Sequence, residues 1–600
     1  MLIRLSVVCA AALALVACGQ SSAPSPPGAA AVDNPDALEL ARIADGYYER
    51  WLELNPLAAT AQGDRRHDAD FGDYATQVWM ADSLAAEQDA LEELRAVDPW
   101  RLDADDRVTY DSFKYGREMA VEGYRYPSEL LPINQLANLA TRFAEFGAGT
   151  GAQPFATLAD YDHFLARMNG FVAWADHVIE NLRLGVDKGI VLPKVVVEAV
   201  LPQLADIGVE DPRQSVFWRP ILNFPAGLAV GDRRRLTDDY TRVLGDQVLP
   251  AYRRLHDYLQ QEYLPHARAG TSWAELPAGD VWYAYLVRLY TTTERTPAEV
   301  HELGLAEVAR LRREMERAAG QLGHQGDLRS LFDALRADPR FRPERAEGLL
   351  EGYGALRDRV NVALPVLFAM RPRAAFEIRA VEPYRAQAAA AASYEPGSAD
   401  GKRPGIFYVN TFDLPSRPTY LMEAIYLHEA VPGHHFQMSI AQETERLPRF
   451  RRFARDTAYV EGWGVYAETL GTELGLYSDP YSRFGALTLQ AWRAARLVVD
   501  TGLHAQGWSR QRAIEYLRAN TLLSDTDIAA EVDRYVAIPG QALAYKIGQL
   551  EFSAIKRHAQ ERLGARFDPR AFHTALLADG ALPLTVLDAK MNRWIASREK

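Results

Sequence analysis

Apolar residues recur at intervals of three and four along most of the chain, the spacing that places them on one face of an α-helix. The first such segment reads DALELARIADGYYERWLELNP; it begins at an aspartate suited to capping a helix and ends before Pro56. The same spacing predicts helices over residues 77–96, 158–184, 233–263, 297–322 and 344–367. No repeat of fixed length is present, so the pattern does not indicate a solenoid.

The pattern changes near residue 370. Two short segments, AAFEIRAVEPY and PGIFYVNTF, alternate apolar and polar residues or carry aromatic and β-branched ones, which predicts strands. The segment SYEPGSADGKRPG between them is rich in turn residues and predicts a connection. Helical spacing then resumes over residues 419–431, 457–474, 482–506, 509–520, 525–536 and 541–563. We therefore expect a mainly α fold class with a small β-sheet, divided into a helical N-terminal region, residues 36–370, and a second region, residues 371–600.

The beginning of the chain has the features of an export signal. The first four residues carry a positive charge, residues 5–15 form an apolar run too short to span a membrane, and LVAC ends the run at Cys18. This cysteine resembles the one in the lipobox of bacterial lipoproteins; an ordinary signal cleaved nearby is the alternative. Residues 1–18 are thus predicted to be a lipoprotein signal peptide, and the Ser/Pro/Ala/Gly-rich residues 19–35 a flexible tether. We expect an exported protein that faces the periplasm, held to the membrane by a lipid on Cys18, and Gly19 favours the outer membrane.

Composition excludes one large class of partner. The 600 residues have a formal net charge of −13 and contain no long run of Lys and Arg, which argues against a nucleic-acid groove. Both cysteines, Cys9 and Cys18, lie in the leader, so no thiol pair remains for a disulfide or for a cysteine zinc site. Any metal must therefore be held by His, Asp or Glu side chains. Nothing in the composition indicates the oligomeric state.

The segment LHEAVPGHHFQ opens like the HExxH signature of zinc peptidases, with His428 and Glu429 adjacent. Pro432 stands where the second histidine is expected, and His434 and His435 follow six and seven residues after the first. In an unbroken helix neither spacing brings two imidazoles to one ion, because six residues turn to another face and seven lie about 10 Å further along. Proline cannot continue the helical hydrogen bonds, so the helix must be distorted here.

If Pro432 and Gly433 are looped out, His434 takes the place of the second ligand, which is the arrangement we favour. A longer excursion would bring His435 there instead; otherwise His435 supports a ligand or faces the substrate. Glu429 would act as the general base on a water molecule at the metal. The alternative is that the Pro-Gly step simply ends a helix whose C-terminus suits two histidines.

A third ligand is expected from DTAYVEGWGVYAETLGTELG, an apolar segment with helical spacing. Glu461 and Glu468 are seven residues apart and so share a helix face, and Asp456 precedes them. A carboxylate buried among apolar residues is costly unless it is paired or bound to a metal. Glu461 is therefore the candidate ligand, while Glu468 and Asp456 either orient the ligating imidazoles or lie on an exposed face.

Four segments in this order, HEAVPGHHFQ, VEGWGVYAE, RLVVDTGLHAQGWS and RYVAIPGQALAYKIG, resemble the bacterial family catalogued as domain of unknown function 885. The resemblance extends over nearly the whole chain after the tether. It implies a zinc metallopeptidase of the gluzincin type, similar in layout to the carboxypeptidase Taq and angiotensin-converting-enzyme groups, with a large helical shell around a deep cleft. Dipeptidyl peptidase III is similar in having a lengthened signature, HExxGH, that still binds zinc. The layout also implies that the substrates are short peptides.

Two further groups of residues fit such chemistry. Gln541 and Tyr545 are four residues apart and share a helix face, and Tyr545 is the candidate donor to the oxyanion of hydrolysis. Arg496, Asp500 and His504 also share a face at spacings of four. His504 could donate to a substrate carbonyl, Arg496 could bind the C-terminal carboxylate of a peptide, and Asp500 could orient either one. The alternative is a surface ladder of salt bridges.

Lys546 is an alternative partner for the peptide carboxylate, and residues 408–412 form either an edge strand along which substrate lies or a core strand. We predict an enzyme, a zinc-dependent peptidase that holds one Zn2+ through His428, His434 and Glu461. One alternative is a catalytically inactive peptide-binding lipoprotein of the cell envelope. The other is a zinc-dependent amidase or esterase that acts on a non-peptide substrate. The sequence contains no serine-hydrolase elbow, P-loop or dinucleotide fingerprint that would indicate another class of enzyme.

Overall fold

The computed structural model describes residues 34–136, 138–382, 386, 389–398 and 401–599. The predicted signal peptide with Cys18, and all of the predicted tether except its last two residues, lie outside these ranges. Across the described ranges, no helix combines the length and the apolar character needed to cross a membrane.

Helices dominate the described chain, which is about 70% helical and contains one three-stranded sheet. The predicted fold class, mainly α with a small sheet, is thereby confirmed. Before the sheet the α-helices are α1 (Pro35–Leu54), α2 (Pro56–Ala61), α3 (Gln77–Leu94), α4 (Ala104–Gly123), α5 (Leu139–Gly147), α6 (Leu158–Lys188), α7 (Lys194–Ile207), α8 (Arg219–Leu222), α9 (Val230–Val243), α10 (Leu249–Asp257), α11 (Gly279–Thr291), α12 (Pro297–Gln321), α13 (Leu328–Ala337) and α14 (Ala346–Ala363). After it they are α15 (Met422–Glu429), α16 (His434–Glu443), α17 (Arg449–Arg452), α18 (Thr457–Thr469), α19 (Pro480–Ala505), α20 (Arg510–Asn520), α21 (Asp525–Ala537), α22 (Ala544–Leu563), α23 (Pro569–Leu577) and α24 (Leu584–Arg598).

Local sequence explains where many of these helices begin. Thr157 precedes α6 and Thr296 precedes α12, and each forms a capping box with the acidic residue three positions later. The predicted helices are found, with ends that differ by a few residues. The predicted helix over residues 233–263 consists of α9 and α10 with π-helical turns at Leu244–Val248 and Tyr258–Tyr263.

The small sheet contains β1 (Phe376–Ala380), β2 (Ala392–Glu395) and β3 (Gly405–Val409) in the order β1-β3-β2. β3 is parallel to β1 and antiparallel to β2. The prediction that SYEPGSADGKRPG is only a connection is wrong, because its first residues belong to β2. The possible edge strand over residues 408–412 is also wrong, because both sides of β3 are paired and every residue of it is buried. Among the described residues, β2 has a strand on one side only.

Two large apolar clusters hold the helices together. In the first, Phe143, Phe171 and Tyr252 stack in sequence between α5, α6 and α10. In the second, Trp463 and Phe552 meet edge to face between α18 and α22. Each cluster includes residues from both sides of position 370, and α12 packs along α19. A division into regions at residue 370 remains a prediction.

α18 and α22 approach each other closely at two glycines. A Cβ at Gly462 would lie 2.4 Å from the Cα of Gly548, and a Cβ at Gly548 would lie 2.0 Å from the carbonyl oxygen of Ala458. Only residues without a side chain let the two helix backbones touch in this way. The contact fixes α18, which carries Glu461, against α22, which carries Tyr545.

Replacing Gly548 by alanine should therefore destabilise the protein. We expect Gly548→Ala to lower the free energy of unfolding by about 1–3 kcal/mol, because the added methyl group meets backbone atoms that cannot move aside. Urea denaturation followed by circular dichroism measures the change. Gly354→Ala in α14 is the matched control: no atom lies within 4 Å of its Cβ position, so this substitution should be neutral or stabilising. Equal stability of the two variants would contradict the close contact.

Candidate metal centre

The HExxH-like segment forms two helices rather than one. α15 ends at Glu429, the backbone leaves the helical conformation over Ala430–Gly433, and α16 begins at His434. The indole N–H of Trp463 on α18 donates a 2.7 Å hydrogen bond to the carbonyl oxygen of Pro432 and fastens this break to the second apolar cluster. The distortion expected at the Pro-Gly step is thus a full interruption between two helices.

Gly433 is required by the geometry of this interruption. A Cβ at Gly433 would lie 1.9 Å from the carbonyl oxygen of His428 and 2.3 Å from that of Leu427. No other residue leaves enough space for the chain to double back against the end of α15. The start of α16 therefore lies beside the last turn of α15, and a histidine six residues after the first can approach it.

Two imidazoles and one carboxylate converge at this point. Nε2 of His428 lies 3.5 Å from Oε2 of Glu461, and Nε2 of His434 lies 3.4 Å from the same oxygen. The two rings are nearly perpendicular, with centroids 4.7 Å apart. One donor atom from each residue lies within 4.8 Å of the others, so the three residues form a group that could hold a metal ion. His435 is not a member of this group.

Electrostatics in the group favour an ionised carboxylate. Burial alone would raise the pKa of Glu461, but hydrogen bonds and charge attraction from His428 and His434 hold that pKa well below its usual range. Burial works against the charged form of His428, yet its hydrogen bonds to Glu461 and Glu468 raise its pKa to about 9. A cation in the group would take over the role of that proton.

A buried carboxylate orients the first histidine. Nδ1–H of His428 donates to Oε1 of Glu468 at 2.9 Å, and Arg493 forms an ion pair with the same oxygen at 3.0 Å. Glu468 is almost fully buried, so its charge depends on both partners. The bond fixes the tautomer of His428 and directs Nε2 toward Glu461, as in metal sites where a carboxylate supports a ligating histidine. The close approach is possible because Gly464 faces the ring, where a Cβ would lie 2.7 Å from Cε1 of His428.

Glu429 is the last residue of α15 and adjoins the group. Its side chain is partly exposed, and none of the described residues forms a hydrogen bond with its carboxylate. Its negative charge contributes to the raised pKa of His428, which places the carboxylate in the electrostatic neighbourhood of the ring. A partly exposed carboxylate that lies beside the His428 ring, and that has no hydrogen-bond partner among the described residues, can accept a proton from a bound molecule.

Tyr545 covers the other side of His428. The two rings are nearly parallel, with centroids 6.4 Å apart, and the guanidinium of Arg496 lies 4.4 Å from the Tyr545 ring centroid. The Tyr545 hydroxyl accepts a 3.0 Å hydrogen bond from Arg534, which also donates to Gln541 at 2.5 Å. The O–H proton of Tyr545 is therefore left for another acceptor.

His435 points to the sheet instead of the metal group. Its Nδ1 is hydrogen bonded with the hydroxyl of Tyr394 on β2 at 2.9 Å, and its ring packs against Phe376 on β1 at 4.5 Å. Burial lowers its pKa to about 4, so the ring is neutral at physiological pH. His435 joins the signature segment to the strands.

Asp456 has no direct bond to the two candidate histidine ligands among the described contacts. It occupies the N-cap position of α18, and its hydrogen bonds there are made through the backbone, which accepts from Tyr459 and Val460. Burial raises the pKa of its carboxyl to about 6. No hydrogen bond or ion pair joins it to His428 or His434 within the described chain, so the expected role of orienting an imidazole does not fit its position.

His504 does not fit its expected catalytic role. Its Nε2–H donates to the carbonyl oxygen of Tyr535 at 3.0 Å, and its Nδ1 accepts from the backbone N–H of Trp273 at 3.2 Å. Burial lowers its pKa to about 3. With both ring nitrogens engaged, His504 has no proton to donate to a substrate carbonyl and instead joins α19 to its neighbours.

Arg496 and Asp500 do not act together either. Arg496 is 3% exposed and pairs with Glu531 at 3.0 Å, so it cannot meet a peptide carboxylate as expected.

Asp500 accepts from the hydroxyl of Tyr283 at 2.6 Å and from the backbone N–H of Gly540 at 3.0 Å. Burial raises the pKa of Asp500 to about 7. It anchors the turn that precedes Gln541 and α22, and among the described residues it forms no hydrogen bond or ion pair with Arg496 or His504.

Lys546 is completely buried and already has its partners. Its ammonium pairs with Glu307 at 3.1 Å and donates to Gln549 at 2.7 Å and to Gln490 at 3.2 Å. Burial lowers its pKa to about 8 despite the neighbouring carboxylate. The carboxylate that it binds thus belongs to α12, which corrects the expectation that Lys546 binds a substrate.

Sequence reasoning missed two arginines of the site. Arg493 supports Glu468, and Arg534 contacts both Tyr545 and Gln541. The chain contains 67 Lys and Arg residues, so neither stands out by type. The available signal for Arg493 was its position between the apolar pairs AW and AA of α19, where a buried charge needs a partner.

Removing the charge of Glu468 should weaken metal binding. We expect Glu468→Gln to reduce the affinity for Zn2+ by about 10- to 100-fold, because the amide holds the His428 ring less firmly and lowers its basicity. Competition with a chromophoric chelator measures the affinity. Glu473→Gln, which alters a surface pair with Lys556, is the matched control and should leave it unchanged. Equal affinities in the two variants would show that Glu468 does not support a ligand.

Comparison with known proteins places these features in a family. No curated protein matches the chain. A crystal structure from Colwellia psychrerythraea, assigned as a lipoprotein, is similar with a TM-score of 0.88 and 25% identity, covering 94% of this chain and 99% of that one. A protein of unknown function from Shewanella oneidensis, also assigned as a lipoprotein, shares the fold with a TM-score of 0.71 and 17% identity, covering 92% and 99%. A family model described as "Bacterial protein of unknown function (DUF885)" matches residues 56–591, and the chain belongs to this family.

Proposed function

We propose that the protein is a zinc-dependent peptidase with Glu429 as its general base. The observation that carries the proposal is the convergence of His428, His434 and Glu461 beside that carboxylate. Two ligands at roughly 2.0–2.1 Å from a tetrahedral zinc lie about 3.3 Å apart. The two imidazole nitrogens lie 3.5 and 3.4 Å from the Glu461 oxygen, so the donor spacing fits this ion.

The donor set supports zinc by its chemistry as well. Two neutral imidazoles and one carboxylate form the three-ligand pattern of catalytic zinc sites, which leave a coordination position open. Glu468 supplies the hydrogen bond that such sites use to orient a ligating histidine. When bound, zinc would lower the pKa of a water molecule and polarise a substrate carbonyl.

The chain's own side chains would carry the proton transfers. Glu429 would accept the proton of the attacking water and then deliver it to the leaving nitrogen, since its carboxylate has no competing partner among the described residues. Tyr545 would donate its O–H to the oxyanion, and the hydrogen bond from Arg534 makes that hydroxyl a better donor. Both side chains are partly exposed and can therefore meet a substrate.

β2 is the strand best placed to hold an extended substrate. It lies against α15 and α16, and its side that faces away from β3 has no strand partner among the described residues. A peptide added to this edge would form main-chain hydrogen bonds along the metal group. This role replaces the one expected for β3, and the bond between Tyr394 and His435 keeps β2 against α16. Short peptides are the proposed substrates.

Two other functions would use part of the same site. A zinc-dependent amidase or esterase would use the same metal group and the same base on a non-peptide bond. A peptide-binding protein of the envelope would need only β2 and the surrounding surface. The carboxylate of Glu429 has no hydrogen-bond partner among the described residues, and this favours catalysis, because a binding role gives no reason to leave it unpaired.

We also propose that the protein is exported and held by a lipid on Cys18. The leader sequence supports this, as do the two similar structures assigned as lipoproteins. A periplasmic position at the outer membrane is the proposed location, and it would bring the site to short peptides of the envelope.

Glu429→Gln tests the function. We expect purified protein to contain one zinc per chain and to cleave members of a mixed peptide library, as detected by mass spectrometry. Glu429→Gln should keep the zinc and reduce the cleavage rate by about 10²- to 10⁴-fold, because the amide cannot accept the water proton. Glu445→Gln, which changes an exposed glutamate, should behave as the unmodified protein.

Each alternative has its own result in that experiment. Stoichiometric zinc without cleavage of any peptide would contradict the peptidase and favour an amide or ester substrate of another kind. Absence of zinc would contradict both enzymes and leave the binding protein. Equal cleavage by Glu429→Gln and the unmodified protein would exclude Glu429 as the base.

A further inference from the structure

A cavity of about 430 Å³ is linked to the metal centre by a series of side-chain contacts. Arg534 and Gln541 line it, and Arg534 bonds both to Gln541 and to the hydroxyl of Tyr545, whose ring faces His428. Two side-chain contacts therefore separate the cavity from the metal group: Arg534 with Tyr545, and Tyr545 with His428. Its walls are mostly apolar and include Leu131, Leu192, Val196, Leu286, Val536 and Ile538. A mostly apolar cavity with a few polar groups at one end is typical of a site for a small ligand.

Arg534 is the cation that this cavity offers to a ligand. The second arginine in its lining, Arg268, donates to the backbone carbonyls of Val191, Gly270 and Ser272. It also pairs with its own carboxylate, Glu275, at 3.6 Å, and its side chain is only 10% exposed. The described contacts of Arg534 use both hydrogens of Nη2 and one hydrogen of Nη1, which leaves Nε and the second Nη1 hydrogen without a described acceptor.

The charges around Arg534 leave a positive balance. Arg534 and Arg496 share one carboxylate, Glu531, whose Oε2 also accepts from the hydroxyl of Tyr535. Gln541 and Tyr545 are neutral. The paired residues of this cluster are two guanidinium groups and one carboxylate. The carboxyl of Asp500 also interacts with the charge of Arg534, but burial raises its pKa to about 7, so a carboxylate supplied by a ligand would balance the cluster more fully.

We propose that this cavity binds the carboxylate of a substrate, with Arg534 as the residue that recognises it. The inference rests on the proposed peptidase function and gives it a substrate class: a short peptide whose carboxylate bonds to Arg534 while an apolar side chain fills the cavity. The bond to be cleaved then lies at the metal group, with Tyr545 between the two. A carboxylate at the C-terminus would make the protein a peptidase that acts from that end.

Arg496 and Lys546 cannot perform this recognition. Both are almost fully buried and both are paired within the chain, to Glu531 and Glu307 respectively. The side chain of Arg534 is 21% exposed. Arg496 instead supports the site from behind, because its guanidinium lies on the face of the Tyr545 ring.

Binding of three related peptides to zinc-loaded Glu429→Gln protein tests the proposal. The peptides are a tripeptide with a free C-terminal carboxylate and an apolar last residue, its C-terminal amide, and a peptide amide whose last residue is glutamate. Titration calorimetry measures their dissociation constants without cleavage. We expect the free acid to bind about 10- to 100-fold more tightly than its amide, the range for a hydrogen-bonded ion pair. Adding Arg534→Gln should abolish that difference.

Arg510→Gln is the matched control. Arg510 pairs with Asp533 next to the cavity but does not line it, so the preference for the acid should persist. Zinc content and circular dichroism check that each variant is folded. The glutamate amide could bind as tightly as the free acid and lose that affinity when Arg534→Gln is added. The recognised carboxylate would then come from a side chain, and the proposal would still hold.

Three results would overturn the proposal: equal binding of acid and amide, a preference that survives Arg534→Gln, or no binding of any of the three peptides. Failure of the peptidase function is distinguishable, because it would appear as tight binding of the free acid without cleavage by unmodified, zinc-loaded protein. A merely structural role for Arg534 would weaken the binding of acid and amide alike.

Discussion

The approach of Gly433 to the carbonyl oxygens of Leu427 and His428 is the constraint on which the site depends. Space for a Cβ is absent there, so this residue alone permits the chain to leave α15 and start α16 beside it. The hydrogen bond from Trp463 to Pro432 fastens the break to the helix that carries the third candidate ligand. Backbone sterics, rather than the spacing of residues in one helix, therefore bring the two imidazoles together.

The surrounding packing turns this local break into a rigid site. Glycines at positions 462 and 548 let α18 and α22 touch, and the glycine at 464 admits the His428 ring. Behind that ring, Glu468 and Arg493 are buried together as an ion pair, and the contact of Glu468 with His428 offsets part of the desolvation cost. A chain selected only for stability has no need of such charges in its core. Their presence behind a histidine supports the proposal that this histidine holds a metal ion.

Much of the fold follows from sequence patterns, whereas part of the site does not. Helical periodicity and caps located the helices, and the proline and glycine after Glu429 indicated a break. β2 was missed because turn-rich residues surround it. The face shared by Arg496, Asp500 and His504 was misleading, since every residue of α19 from Arg493 to His504 is buried and each of the three meets a different neighbour. Residues that share a helix face can be expected to share a partner when only one face of the helix is buried. Over this part of α19 the helix is buried all round, so a shared face does not predict a shared partner.

The metal content of two adjacent histidine variants tests the account most directly. Purified His434→Ala and His435→Ala proteins are measured by elemental mass spectrometry after exposure to equal zinc. The two residues are adjacent in the chain, but His434 faces Glu461 and His435 faces Tyr394 on β2. We predict that His434→Ala loses the bound zinc, whereas His435→Ala retains one ion per chain. Zinc retained by His434→Ala and lost by His435→Ala would contradict the account, and so would an unmodified protein that binds no zinc at all.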